Sequence, residues 1–324
     1  MQFRSVSDLN RDVVAWAEQL PRDLDLVVGI PRSGLLAANL LALHLHLPLS
    51  DLRGFVRGRT LGGGERLGHI DDTAYLRDAK RILVVDDSLH AGGAMRRAKQ
   101  ELAGSPLLDR IEFGAVYVSP GPAKDELLDH WFEVVPQPRV FEWNALHHDA
   151  LADACMDVDG VLCRDPTTDE NDDGDRYAAF LDTVPVRLVP AAKVGHLVTA
   201  RLERYRPQTE AWLDRAGIRY GQLHMHPAAT AVERRADRSH ATFKAAVYER
   251  TKAWLFIESE PHQAEEIANV TGRPVYCTDV RLMVYPGVPL QPRARPRRRD
   301  ELRWRAQKFL ANRKAVVRAR LRGR

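Results

Sequence analysis

The stretch RILVVDDSLHAGGAM, residues 81–95, decides how the first half of the chain folds. Ile82, Val84 and Val85 are β-branched and read as a buried strand over 81–85. Asp86 and Asp87 end that strand, and Gly92-Gly93 then opens a helix over 93–103. A strand feeding a glycine turn and a helix is half of a βαβ unit. LDLVVGI (24–30) is a second short apolar run, PRSGLLAANLLALHL (31–45) a helix, and 111–118 a third strand. Strands that alternate with helices predict a doubly wound parallel sheet. Residues 8–20 have helical spacing, with Asp8 as the expected N-cap. The Gly/Arg-rich segment 55–70 has no period and reads as a mobile loop. Residues 119–150 hold four prolines and read as an irregular connection.

A second α/β pattern follows. ACMDVDGVLC (154–163) and VGHLVTAR (194–201) each read as strand then turn. A helix over 207–216, a strand over 218–225, a helix over 239–250, a strand over 253–259 and a helix over 261–271 complete it. The expected organisation is two doubly wound domains, 1–150 and 151–285, then a basic segment, 286–324. In that last segment 286–299 reads as extended and 300–321 as an amphipathic helix.

Composition excludes several classes. The chain is 324 residues long, 44% apolar and 28% charged, which suits a globular protein large enough for two cores. It holds no run of 18 apolar residues, and its first residues lack an apolar leader segment. Three cysteines without CxxC spacing argue against a disulfide framework, so a cytoplasmic location is expected. The net charge of +4 hides an asymmetry. Residues 291–324 carry 14 Arg and Lys against two acids, so the remainder is mildly acidic. A basic amphipathic helix over 300–321 points to anionic membrane, here the inner membrane face, with nucleic acid as the less favoured partner.

In open parallel sheets, ligands bind beyond the carboxyl ends of strands. Glycine turns that feed a helix present backbone N–H groups to phosphate. Two acids just before such a turn suit sugar hydroxyls or Mg²⁺, not phosphate. Residues 86–94 therefore read as a sugar-phosphate cradle.

The stretch resembles the PRPP-binding signature of the type I phosphoribosyltransferases. VVGIPRSG (27–34) resembles that family's pyrophosphate loop, and 57–68 lies where the family keeps its flexible catalytic loop. The resemblance covers roughly residues 20–120. It implies that Asp86 and Asp87 take the ribose hydroxyls, and that Ser88, His90, Ala91, Gly92 and Gly93 surround the 5-phosphate. It also assigns Arg32, Ser33 and Gly34 to pyrophosphate, and offers Arg57, Arg59 and Arg66 to cover the leaving group. His90-Ala91 stands where many relatives have two Thr, so hydroxyl donors are lost there. The implied reaction is displacement at ribose C1, with Mg²⁺ neutralising the departing pyrophosphate.

MDVDGVL (156–162) places two acids two apart after a strand, with Gly160 permitting a sharp turn. Thr199 after the next strand, Lys244 at a helix start and Glu258 at a third strand's end follow in order. The series resembles the haloacid dehalogenase-like (HAD) phosphatases over roughly residues 153–280. It implies Asp157 as nucleophile, Asp159 as acid and then base, and Thr199 and Lys244 around the phosphoryl group. Asp157, Asp159 and Glu258 would hold Mg²⁺, with Glu260 a substitute because Ser259 replaces a common second acid. DENDDG (169–174) imitates the start of a calcium loop, but Phe180 stands where the bidentate Glu is needed. Trp143 and Phe141, in FEWN (141–144), fit either a domain interface or stacking on an acceptor.

Two sites on one chain imply consecutive reactions. Phosphoribosyl transfer leaves a 5-phosphate, and a phosphatase removes it, so the sum installs a plain ribosyl group. The order of parts resembles bacterial glycan phosphoribosyltransferase–phosphatase proteins, which implies a lipid-linked glycan as acceptor. The alternatives are a nucleobase phosphoribosyltransferase with a nucleotide phosphatase, or a PRPP-sensing regulator. A homo-oligomer is compatible with either.

Overall fold

The computed structural model describes residues 1–68, 70–230, 232–233 and 240–290. The basic segment beyond 290, including the helix expected over 300–321, lies outside the described residues. In the first lobe the elements run β1 (Gln2–Arg4), α1 (Val6–Ala17), β2 (Leu26–Gly29), α2 (Ser33–Leu45), β3 (Leu49–Asp51), α3 (Leu52–Val56), α4 (Gly64–Leu67) and α5 (Asp72–Asp78). They continue with β4 (Ile82–Leu89), α6 (Gly93–Leu102), β5 (Ile111–Val118), α7 (Ala123–Leu127), β6 (His130–Val134) and β7 (Arg139–Phe141). The second lobe contains β8 (Ala154–Met156), α8 (Asp175–Thr183), β9 (Val194–Leu202), α9 (Arg206–Arg215), β10 (Tyr220–His226) and α10 (His240–Arg250). It ends with β11 (Leu255–Glu258), α11 (Pro261–Thr271), β12 (Val275–Cys277) and β13 (Leu282–Val284).

The first sheet has the order β3-β2-β4-β5-β6, and every pairing is parallel. Its strands alternate between two covered faces. Leu26, Val28, Ile82 and Val84 join one apolar cluster, while Val27, Leu83 and Val85 join another. Burial on both faces is why these strands read as unbroken apolar runs. The second sheet has the order β10-β9-β8-β11-β12-β13, parallel except for the last pair. Met156, Leu197 and Ile257 pack on one face; Cys155, Val198 and Phe256 pack on the other.

Each sheet has a switch point. In the first, the chain leaves β2 outward to β3 and returns to β4 on β2's other side. In the second, β8 leads to β9 on one side, and β11 later docks on the other. A crevice opens at the carboxyl end of such a strand pair. Among the described residues, no helix is long and apolar enough to cross a membrane.

The structure corrects several expectations. β4 does not stop at Val85: Asp86, Ser88 and Leu89 still pair with β5. Ser5 caps α1, and Asp8 completes a reciprocal capping box from the third position. The segment expected to be a loop over 55–70 contains the end of α3 and all of α4. The connection over 119–150 contains α7, β6 and β7, and β7 pairs with β1. Val140 and Ala145, ahead of residue 150, pack with the second lobe's apolar cluster.

Candidate active sites

In the first lobe, the two loops expected to act together do meet. A Cβ at position 34 would lie 2.8 Å from both Asp86 Oδ1 and the Val85 carbonyl oxygen. Gly34 therefore lets the β2–α2 loop lie directly on the β4 carboxylates. Asp86 and Asp87 are buried, 8% and 2% exposed. Asp86 accepts the Asp87 amide at 2.9 Å. Burial, and then repulsion from Asp87, pushes the Asp86 carboxyl up to about 8.

The helices on either side of this crevice begin without side-chain caps. Neither α2 nor α6 has a capping side chain or an acid in its first turn. Elsewhere Ser5, Asp71 and Glu260 cap α1, α5 and α11. The first amide groups of α2 and α6 are thus without a side-chain acceptor, an arrangement in which a helix start can receive an anion. Gly92 takes a left-handed conformation, φ 79°, and starts α6. His90 Nδ1 lies 2.9 Å from the Ser119 hydroxyl, while Ala91 contributes no donor beyond its backbone. Ser88 is half-buried, and Arg32 and Gly93 are exposed, as are Arg57 and Arg59 on the turn after α3. The Arg59 amide is tied to the Gly54 carbonyl at 2.9 Å, so the loop is anchored at its base.

One contact comes from outside the motifs. Trp143 donates its indole N–H to Asp87 Oδ2 at 2.7 Å. Its ring stacks on Phe141, 4.9 Å away and 6° from parallel. The aromatic run FEWN was visible in the sequence, but its partner was not.

Residues 5–149 match the family model described as the phosphoribosyl transferase domain. The first lobe is a phosphoribosyl transferase domain. Solved structures that resemble the chain include a purine phosphoribosyltransferase from Pyrococcus horikoshii Ot3, 22% identical, covering 44% of this chain and 92% of that one, TM-score 0.30. They also include a xanthine-guanine-hypoxanthine phosphoribosyltransferase from Helicobacter pylori, 18% identical, with coverages of 44% and 92% and TM-score 0.32. A hypothetical protein from Neisseria gonorrhoeae with bound ppGpp is 15% identical, with coverages of 45% and 90% and TM-score 0.28. No curated protein matches the chain. A phosphoribosyl transferase domain over residues 5–149 supports an enzyme and is consistent with PRPP as substrate.

In the second lobe, a cavity of about 300 Å³ lies at the switch point, lined by Asp157, Asp159, Arg201, Lys244, Glu258 and neighbours. Asp157 follows β8, and its amide pairs with the Ile257 carbonyl. Lys244, on α10, reaches Asp157 Oδ2 at 2.6 Å, Glu258 Oε2 at 2.7 Å and Gln263 Oε1 at 3.0 Å. Lys244 and its two carboxylate partners, Asp157 and Glu258, are almost fully buried. Burial raises the Asp157 carboxyl well above its ordinary range; Lys244 opposes the shift, and Glu258 and Asp159 add to it. Burial alone would lower Lys244, but the two carboxylates outweigh it and hold the ammonium charged.

Asp159 has a different environment. Arg201, wholly buried, donates to it from Nε at 3.0 Å and from Nη2 at 2.7 Å. The Cys163 thiol donates at 3.3 Å. Burial opposes ionisation, yet Arg201 outweighs it and lowers the Asp159 pKa. The pair favours the form that accepts a proton, whereas the expected first role as acid needs the protonated form. Arg201 was missed in the sequence. The signal was there: an arginine inside the apolar strand VGHLVTARL has to be paired if buried.

Thr199 departs from its expected place. It lies within β9, not after it, and it is fully buried. Its hydroxyl accepts the Arg201 amide at 3.3 Å, and Ala200 and Arg201 line the cavity instead. Glu260 caps α11 through the amides of His262 and Gln263, so its carboxylate is engaged. Three of the four acids of 169–174 are also engaged: Arg164 holds Glu170, Arg176 holds Asp172, and Arg204 pairs with Asp173.

Among the described residues no three His, Cys, Asp or Glu side chains converge into a metal cage. Asp157 and Glu258 do converge, on one ammonium. Mg²⁺ needs only one or two carboxylates, with water and phosphate oxygens completing its shell, so the pair fits that ion. The carboxylate of Asp159, occupied by Arg201, is not part of this pair.

Proposed function

We propose that the chain transfers 5-phosphoribosyl from PRPP to a glycan acceptor carried on a lipid, releasing pyrophosphate, and then removes the 5-phosphate to leave ribofuranose. The observation that carries this reading is the coexistence of two separate switch-point sites on one chain. One presents paired acids beside two uncapped helix starts. The other presents a buried Asp157–Lys244–Glu258 cluster.

In the first site, Asp86 and Asp87 accept hydrogen bonds from the ribose hydroxyls. The open amides of α6 bind the 5-phosphate, and those of α2, with Arg32, bind pyrophosphate. These groups position C1 for the acceptor and stabilise the leaving anion. Arg57 and Arg59 cover the pyrophosphate from the anchored loop.

In the second site, Asp157 attacks the phosphorus and forms an aspartyl-phosphate as the bond from phosphorus to the ribose 5-oxygen breaks, the departing oxygen taking its proton from water. Lys244 orients that carboxylate through its 2.6 Å contact and supplies positive charge to the phosphoryl group. Asp159, kept ionised by Arg201, accepts the proton of the attacking water in the second half-reaction. Mg²⁺ on Asp157 and Glu258 would offset the charge of an anionic phosphoryl group meeting an anionic carboxylate.

The test is incubation of the protein with PRPP, Mg²⁺ and a panel of lipid-linked glycans and nucleobases. Pyrophosphate release that depends on a glycan supports the reading. Release with a nucleobase but with no glycan removes the glycan from it.

A further inference from the structure

Asp87 and Leu89 lie on the same face of β4, and the segment joining the lobes holds both. Arg139 donates from Nη2 to the Leu89 carbonyl at 3.2 Å. Trp143 donates from Nε1 to Asp87 Oδ2 at 2.7 Å. Neither donor belongs to the β2–α2 loop or the β4–α6 turn, the two pieces that define the site by sequence. The Trp143 ring is not free to wander. It is stacked on Phe141, which in turn lies 5.3 Å from the Tyr117 ring on β5, the neighbour of β4. The donor therefore reaches Asp87 from a rigid aromatic stack anchored on the same sheet.

Asp87 needs such a donor. It is 2% exposed and stands beside a second carboxylate. Asp86 spends one oxygen on the Asp87 amide. The indole fixes one oxygen of Asp87, and the Asp86 side chain hydrogen-bonds to the same carboxylate, so the orientation of Asp87 is set from two sides. A carboxylate that accepts a bidentate pair of sugar hydroxyls depends on that orientation, because hydrogen bonds weaken steeply off line. Trp143 also helps line a cavity of about 310 Å³ together with Arg187, Tyr276 and Arg281 of the second lobe. One side chain thus bonds to Asp87 and lines a cavity that the second lobe shares.

We infer that Trp143 is a positioning residue for PRPP, its indole N–H fixing the Asp87 carboxylate against the ribose hydroxyls. The inference rests on the phosphoribosyl transfer reading of the first lobe. Trp143 touches no reacting atom, so its removal should weaken ribose recognition and leave pyrophosphate recognition alone.

Trp143→Phe keeps an aromatic ring on Phe141 and deletes the donor. Calorimetric titration of the full-length protein with PRPP and with inorganic pyrophosphate, each with Mg²⁺, separates the roles. The expected result is a Kd for PRPP raised about tenfold, the scale of one lost hydrogen bond to a charged group. The Kd for pyrophosphate should stay within twofold, while the unfolding temperature should fall by about 2–4 °C, because the buried Asp87 loses its donor and the smaller ring packs less of the apolar cluster. Trp143→His, which restores an N–H donor, should recover part of the loss. Equal PRPP affinity in wild type and Trp143→Phe overturns the inference, as does a parallel loss of both ligands, which would mark a purely structural ring. Failure of the wild-type protein to bind PRPP would instead sink the phosphoribosyl reading itself.

Discussion

At Asp86 and Asp87 two carboxylates share a space that water barely reaches, and a single proton resolves the conflict. With Asp86 titrating near 8, the folded chain keeps a proton that the unfolded chain releases around the ordinary value of 3.8. The sign follows. The contribution to stability is fully present below about pH 4 and is lost as pH rises toward about 8. Asp87→Asn keeps an oxygen for the Trp143 donor but removes the neighbouring charge. Its expected effect is an unfolding midpoint about 2–4 °C higher at pH 8, the shift of roughly 1 kcal/mol, with no change at pH 4. PRPP affinity should fall at both values. Scanning calorimetry at the two pH values checks this, and an equal shift at both would show that the charge pair is not the cause. Reading the residues alone could find these acids, because carboxylates abutting a buried strand are rare. It could not find the protonation, which depends on how deeply β4 carries them into the sheet. Arg201 illustrates the same limit. Its burial and its grip on Asp159 follow from where α9 and the loop after β8 come to rest, and no spacing rule encodes either.

Among the elements, strand-to-helix turns carry the chemistry, and small residues allow two of them to close. Gly160, φ 79°, sits where an added Cβ would be 2.0 Å from Ser259 Oγ and 2.7 Å from its Cβ. The loop after β8 and the loop after β11 touch at that point, which brings Asp157 and Glu258 onto one lysine. The same contact explains why Ser259 is small where a second acid was anticipated. Gly160→Ala adds a clash to a left-handed backbone that L side chains resist. Together these should cost about 2–4 kcal/mol and abolish phosphate release. Ser259→Gly in the same chain should return part of the stability, since the nearest atoms of the clash are then gone. Thermal denaturation of the single and double variants measures that coupling; additive losses would mean that the two loops do not touch. The helices and central strands were legible because burial on both faces makes apolar runs. β3, β6, β12 and β13 were not. The first and the last two are three residues long, and β6 is a half-exposed edge strand inside a proline-rich stretch.

Across the whole molecule, the two lobes are less separate than their sequence patterns suggested. Phe3 of β1 packs against Tyr276 of the second lobe, 5.7 Å between ring centres. Trp254, just before β11, donates to the Ala150 carbonyl at 3.1 Å. The restart of the α/β pattern set the expected boundary at residue 150, and a pattern of strands and helices does not register which side chains ahead of it pack with the second lobe. The functional expectation at this scale is a stoichiometry. If one chain carries out transfer and then dephosphorylation, each ribofuranosyl product formed releases one pyrophosphate and one phosphate. Asp157→Asn should leave pyrophosphate release at its wild-type rate, because Asp157 follows β8 in the second lobe and its hydrogen bonds run to Val158, Lys244 and Ile257 of that lobe. It should reduce phosphate release by at least a thousandfold, on the scale seen when a nucleophile is removed. The acceptor should then accumulate with its 5-phosphate intact, which mass spectrometry resolves from the wild-type product. The substitution also leaves Lys244 buried against Glu258 alone, so circular dichroism must first show that the variant is folded. A folded Asp157→Asn protein that still liberates phosphate would assign that step to another group and dissolve the proposed pairing of reactions. One that loses pyrophosphate release as well would mean that the two sites act as a single unit.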